Sequence, residues 1–322
     1  MEQRSFGRLG SVSALTLGGG GLGQVWGETT RDEAVATVHA AIDAGITLLD
    51  VAPMYGRGEA EAVIGAAFAG RLPDGVRIGT KVMLGNPEGA MAEKIERSVM
   101  RSLATLQLDR VDLLWLHSNI VPDDYVFPRH PEAAPRIGTP WSRYVEEVRP
   151  AFAALVADGR VGAWGITGVA LPSTIRAAIA DDPAPAAVQC IANLLDSTGA
   201  IYVHDEPLSP RETIAAASER GCGVLGIRAV QAGALTDAMD RDLPPDDGDR
   251  RDFERTAPFR ALAHEVGESA AALAHRYALT MPGIDSVVLG VKNRTELAEC
   301  VAAADRGPLD ADLITAIDTC VG

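Results

Sequence analysis

Four polar side chains stand just past apolar runs of strand length: Asp50 closes ITLLD, Tyr55 follows in VAPMY, Lys81 falls in RIGTKV and His117 closes DLLWLH. An acid, a phenol, an amine and an imidazole brought to one place can move a proton onto a carbonyl oxygen or off an alcohol. Tyr has an ordinary pKa of about 10 and Lys about 10.4, so neither alone suits proton transfer near neutral pH. Together they are expected to shift one another. The Lys81 ammonium should lower the Tyr55 phenol, Asp50 should hold the lysine charged, and His117 should orient the substrate oxygen. A proton on the oxygen needs a hydride on the carbon, and no side chain supplies one, so a nicotinamide cofactor is implied.

For these groups to meet, the runs that carry them must be neighbouring strands. Short apolar runs bounded by Gly or Pro alternate with helical stretches along the chain, the pattern of a parallel sheet with crossover helices. The strand candidates are Ser13 to Gly18, Ile46 to Asp50, Val76 to Val82, Val111 to His117, Val161 to Thr167, Ala186 to Cys190, Gly223 to Ile227 and Ser286 to Gly290. Helices are expected near 59–68, 89–106, 141–157, 173–180, 210–219, 259–266, 269–279 and 294–304. The first helix starts after Thr30 as N-cap, with Glu33 completing a capping box, and Val35, Val38 and Ile42 share one of its faces. Eight strand–helix units over residues 1–322 predict a single α/β domain, a (β/α)8 TIM barrel, with SFGRLGSVSAL as an N-terminal β-hairpin closing the barrel floor.

Strands in such a barrel lie about 4.8 Å apart, and their C-terminal ends build the active face, so the four residues can converge. Two connections on that face, 118–140 and 236–258, are long enough to be lids. The first carries Tyr125, Phe127, Arg129 and Trp141 at its end; the second holds the acidic run Asp246 to Asp252, expected to be solvated and mobile. Trp26, Met54 and Trp141 are candidates to line a substrate pocket.

Composition excludes several classes. With 29 Lys+Arg against 44 Asp+Glu the formal net charge is −15, which argues against nucleic-acid or anionic-membrane partners. No apolar run approaches the roughly 18 residues of a membrane span, and MEQRSFGRLG lacks the order of a signal peptide, so a cytoplasmic protein is expected. Cys190, Cys222, Cys300 and Cys320 show no CxxC spacing, and the remaining histidines no HExxH spacing, so no metal site is expected. GGGGLG, Gly18 to Gly23, formally fits GxGxxG, but the helix opens only after Thr30, which argues for tight turning or close backbone approach to a ligand instead of a Rossmann loop.

DVAPMYG, GTKV and LLWLHS resemble the aldo-keto reductase superfamily, and the likeness runs from GRLG through LTLGGGGLG and QAGALT to GVKNRTELAEC. The resemblance implies an NAD(P)H-dependent barrel whose tetrad is Asp50, Tyr55, Lys81 and His117, with Tyr55 as general acid in carbonyl reduction and base in alcohol oxidation. It also implies that Gln189 holds the nicotinamide carboxamide. The family's Ser-Asn pair is Thr167-Gly168 here, and its ring-stacking tyrosine is Ile227. Arg228, Gly233 and Leu235 fall in the pyrophosphate region, and Gly290, Lys292 and Arg294 resemble the adenosine-phosphate loop, with Glu299 nearby and Cys300 where Asn is frequent. Two cations at a helix start favour NADP(H) over NAD(H). The expected substrate is a small carbonyl compound: an aldehyde, ketone or sugar. An aldose or alcohol dehydrogenase running the reverse direction, or a slow-turnover cofactor-binding regulatory subunit, would use the same residues.

Overall fold

The alternation of apolar runs and helical stretches ends in a closed sheet. The computed structural model describes residues 1–128 and 130–321; Arg129, one of the residues placed above in the first long connection, lies outside them. The strands are β1 (Gln3–Ser5), β2 (Ser11–Ser13), β3 (Leu15–Gly18), β4 (Leu48–Asp50), β5 (Arg77–Val82), β6 (Val111–Leu116), β7 (Asn119–Val121), β8 (Gly138–Pro140), β9 (Val161–Gly168), β10 (Ala187–Ile191), β11 (Gly223–Ile227) and β12 (Ser286–Leu289). Eight of them, β3, β4, β5, β6, β9, β10, β11 and β12, form a closed barrel in that order, with β12 pairing back on β3. Every pairing in it is parallel. All eight expected strands are present, and the fold is the (β/α)8 barrel.

The strands are apolar nearly throughout because both faces are buried, one against the barrel interior and one against helices. The helix Arg31–Asp43 shows the outer packing: Ala34, Thr37, Val38 and Ala41 are buried, the spacing of one helical face. Thr30 caps it by accepting the Glu33 amide at 3.1 Å. The capping box is only half made, because the Glu33 carboxylate takes the Arg294 amide and guanidinium instead.

Inside, the lower barrel is filled by Leu48, Leu113, Trp115, Ala187 and Leu225, and the β1–β2 hairpin closes it from below with Phe6 and Val12. Trp115 is fully buried. It fits because its two flanking positions lack side chains: a Cβ on Gly79 would lie 2.8 Å from the indole nitrogen, and one on Gly165 would lie 2.6 Å from the six-membered ring.

Four segments differ from expectation. The connection after β6 is ordered around a small parallel pair, β7–β8, with Phe127 fully buried against Val121 and Leu171. The stretch from Trp141 is helical to Ala157 but contains a π-helical turn at Tyr144–Val148. The acidic run is a helix, Gly248–Arg255, capped by Asp247. It is neither solvated throughout nor loose, because Asp249 and Asp252 are buried and ion-paired. A last helix, Ala311–Thr319, capped by Asp310, had no counterpart in the expected elements.

Gly165→Ala should drive the indole of Trp115 from its seat. The expected loss is about 1–3 kcal/mol, read as a lower urea midpoint with unchanged slope.

Candidate active site

At the C-terminal ends of the barrel strands lies a cavity of about 550 Å³, in the size range of small-molecule and cofactor sites. One end is built by β4, β5 and β6. Register places Asp50 beside Gly79 and Lys81 beside Trp115, so the side chains of adjacent strands reach one spot. Lys81 Nζ donates to Asp50 Oδ2 at 2.6 Å and to the Val51 carbonyl at 3.1 Å. Gln189, from β10, donates its amide to the same Asp50 oxygen at 2.9 Å. Lys81 Nζ lies 4.9 Å from the centroid of the Tyr55 ring, and the His117 ring meets that of Tyr55 edge-on at 6.1 Å. The tetrad is therefore assembled, with Asp50, Tyr55 and His117 on the cavity wall and Lys81 buried behind them.

Tyr55 follows a strand but sits in a short turn that needs support. The glycine run supplies it: Gly19–Leu22 is one turn of helix, and Gly23 comes so close to the Tyr55 backbone that a Cβ there would stand 2.7 Å from the Tyr55 carbonyl carbon. Gly18 and Gly21 likewise stand close against the Leu289 and Val291 carbonyls, so these glycines admit close approach between backbone segments within the fold.

Electrostatics at this end differ in one respect from expectation. Burial pushes the Tyr55 phenol up, and the neighbouring Lys81 ammonium only partly offsets it, so the net shift is upward. Burial opposes the Lys81 charge, but Asp50 and Tyr55 outweigh it and raise the ammonium pKa. Burial, reinforced by Lys81, pushes His117 down to about 3. At neutral pH the site thus holds a protonated phenol, a charged lysine and a neutral imidazole, a set able to donate a proton to an oxygen.

The cavity continues from the tetrad to the loop after β12. Thr167 and Gln189, paired across β9 and β10, line its inner part. Thr167 Oγ1, His117 Nδ1 and Asp50 Oδ1 are buried with no hydrogen-bond partner among the described residues. Buried polar atoms of this kind on a cavity wall fit a ligand carrying polar groups. Arg228, Gly233, Gly290, Lys292, Glu299 and Trp26 also line the cavity.

Other expected residues lie elsewhere. Leu235 is fully buried in the core, Arg294 stands outside the cavity on Glu33, and Met54 is exposed at the surface. Trp141 packs against Tyr144 at 5.8 Å, Tyr125 donates its hydroxyl to Asp205, and no described residue of the first long connection lines the cavity. The second does, through Thr236, Ala238, Asp240 and Arg241.

Asp240, Arg241, His275 and Glu296 on the wall were not singled out in the sequence. One had a readable signal: Asn293 and Glu296 have N-x-x-E capping spacing, and each side chain accepts a backbone amide, Asn293 from Glu296 and Glu296 from Lys292. The wall between the two ends is held under strain. Arg228, Gln231 and Ala232 have φ of 58°, 45° and 49°, fixed by Arg228 on Gln231 and Asp249 and by Gln231 on Asp252. Among the described residues no group of His, Cys, Asp or Glu could hold a metal ion, and no helix is long and apolar enough to cross a membrane.

The sequence profile of the Aldo/keto reductase family matches residues 14–321. The chain is 30% identical over 309 residues to L-galactose dehydrogenase of Arabidopsis thaliana, covering 94% of this chain and 88% of that protein. Its fold matches that of aldo-keto reductase AKR11C1 from Bacillus halodurans in its holo form, with a TM-score of 0.74 at 21% identity over 100% of this chain and 97% of the other. It also matches an aldo-keto reductase from Klebsiella pneumoniae in complex with NADPH, with a TM-score of 0.71 at 22% identity over 100% and 96%.

The neutral His117 has a measurable cost in acid. The unfolded chain protonates it near pH 6.5, the folded chain only near pH 3, so its contribution to folding is present above about 6.5 and lost as pH falls toward 3. His117→Gln should lose about 1–2 kcal/mol less stability than the parent between pH 7 and pH 5, measured by urea unfolding at both.

Proposed function

The chain belongs to the aldo/keto reductase family, and we propose that it is a nicotinamide-dependent oxidoreductase interconverting a carbonyl and an alcohol on a small polyhydroxylated substrate of the sugar class. The observation that carries this reading is the buried Lys81–Asp50 pair at 2.6 Å set behind a phenol that faces a cavity. Such an arrangement fixes a charged donor where no solvent competes and leaves one proton, that of Tyr55, on the accessible side.

In carbonyl reduction Tyr55 gives its proton to the substrate oxygen, and Lys81 stabilises the phenolate left behind. Asp50 keeps Lys81 charged and in place. The neutral His117 offers a ring nitrogen that orients the same oxygen without competing for the proton. A nicotinamide dinucleotide, when bound, exchanges a hydride with the substrate carbon. Thr167 and Gln189 would hold its nicotinamide end, Arg228, Gly233 and Arg241 its middle, and Gly290, Lys292 and Glu299 its adenosine end. The apolar wall beside the tetrad, Val25 and Trp26, would pack on the substrate.

Aldose oxidation is the second reading, favoured by the likeness to L-galactose dehydrogenase over most of both chains. The two directions share every residue. Because the Tyr55 phenol is raised, its proton-donating form prevails at neutral pH and its base form gains as pH rises. Oxidation should therefore speed up with pH, while reduction holds level and then falls. The cytoplasm is the expected setting.

Tyr55→Phe should lower kcat/KM about 10²–10⁴-fold in both directions while dinucleotide binding is unchanged. Steady-state assays with galactose, other aldoses and simple aldehydes, paired with calorimetric binding, test this. Full turnover by the variant would remove Tyr55 from the mechanism.

A further inference from the structure

The expectation of NADP(H) rested on two cations at a helix start, and the structure shows both already engaged by acids. Arg294 holds the Glu33 carboxylate through Nε at 3.1 Å and Nη2 at 2.9 Å. Lys292 Nζ lies 3.2 Å from Asp240 and 3.3 Å from Glu296. Three backbone donors around this helix start, a position attractive to phosphate, are occupied as well. The Lys292 amide is taken by Glu296 at 2.8 Å, the Arg294 amide by Glu33 at 3.0 Å and the Glu296 amide by Asn293 at 2.9 Å.

Charge on the cavity wall points the same way. Asp240, Glu296 and Glu299 line this end beside two cations, Lys292 and Arg241, and Arg241 pairs with Asp240 at 3.2 Å. A ribose 2′-phosphate entering here would meet carboxylates and would have to displace them from Lys292 and from the amides. A ribose 2′-hydroxyl would meet hydrogen-bond acceptors, the arrangement by which dinucleotide sites generally recognise the unphosphorylated cofactor. Mutual repulsion of like charges falls with ionic strength, whereas hydrogen bonding to a hydroxyl changes little.

We infer that Glu296, with Asp240, makes this site select NAD(H) over NADP(H), replacing the phosphate-binding role of the loop with an acidic one. The inference rests on the oxidoreductase reading above, since it assigns the far end of the same cavity.

Isothermal titration of the ligand-free protein with NAD⁺ and with NADP⁺ tests it without a substrate. The expected result is NAD⁺ binding at least about tenfold tighter, a gap of about 1.4 kcal/mol, narrowing as salt is raised. Glu296→Gln keeps an acceptor for the Lys292 amide and removes the charge; Asp240→Asn removes the second charge from a different segment. Each should tighten NADP⁺ several-fold and so narrow the gap between the two dinucleotides. Tighter NADP⁺ binding by the parent protein, or an unchanged ratio in the doubly substituted protein, overturns the inference and leaves the oxidoreductase reading standing. Binding of neither dinucleotide overturns both.

Discussion

Lys81 carries its charge with 1% of its side chain exposed, and the structure is arranged to make that possible. Removing an ammonium from water costs several kcal/mol even after the protein relaxes, and only a partner at close range with good geometry offsets it. Asp50 is that partner, and the Val51 carbonyl is the next. Both sit on the strand adjacent to that of Lys81 or directly after it, so the pair forms only when β4 and β5 are in the observed register. A slip by one residue would turn Lys81 toward the surrounding helices. The condition that stabilises the buried charge and the condition that assembles the site are therefore one condition. Gln189 then reaches the same carboxylate oxygen from β10, across the barrel.

The two ends of the cavity follow opposite electrostatic rules. Near the tetrad a single carboxylate is matched by a single ammonium, and burial keeps the phenol and imidazole uncharged. Near the loop after β12 the acids outnumber the cations, and the pairs are partly exposed, with Lys292 at 21% and Asp240 at 45% side-chain exposure. Pairs of that kind contribute little to stability. Their consequence lies in the field they set for whatever binds.

Most of the barrel was legible because its signal is local. A strand buried on both faces must read as a short apolar run, and a polar residue at its C-terminal end stands out against it, as Asp50, Lys81 and His117 do. What was not legible depends on pairing at a distance. The aspartates of 246–252 read as a solvated run because nothing in their neighbourhood says that Arg228 and Arg241 will meet Asp249. Arg294 read as a free cation because Glu33 lies far off in sequence. Trp141 read as a pocket aromatic because an aromatic residue beside a loop carries no mark of which side it will pack on. The upward shift of Tyr55 was missed for a related reason: a spacing names the neighbouring charge but not the depth of burial that outweighs it.

The closure of β12 on β3 has a consequence in time. Leu17 pairs with Leu289, so the sheet cannot become a barrel until β12 has been made. At about 5–20 residues per second a ribosome takes on the order of a quarter-minute or more to move from one strand to the other, and during that interval β3 has an unpaired edge. Gly18, Gly19 and Gly20 are made long before Gly290, Lys292 and Glu296, yet they face the same cavity. A fragment that lacks β12 therefore lacks one end of the cavity.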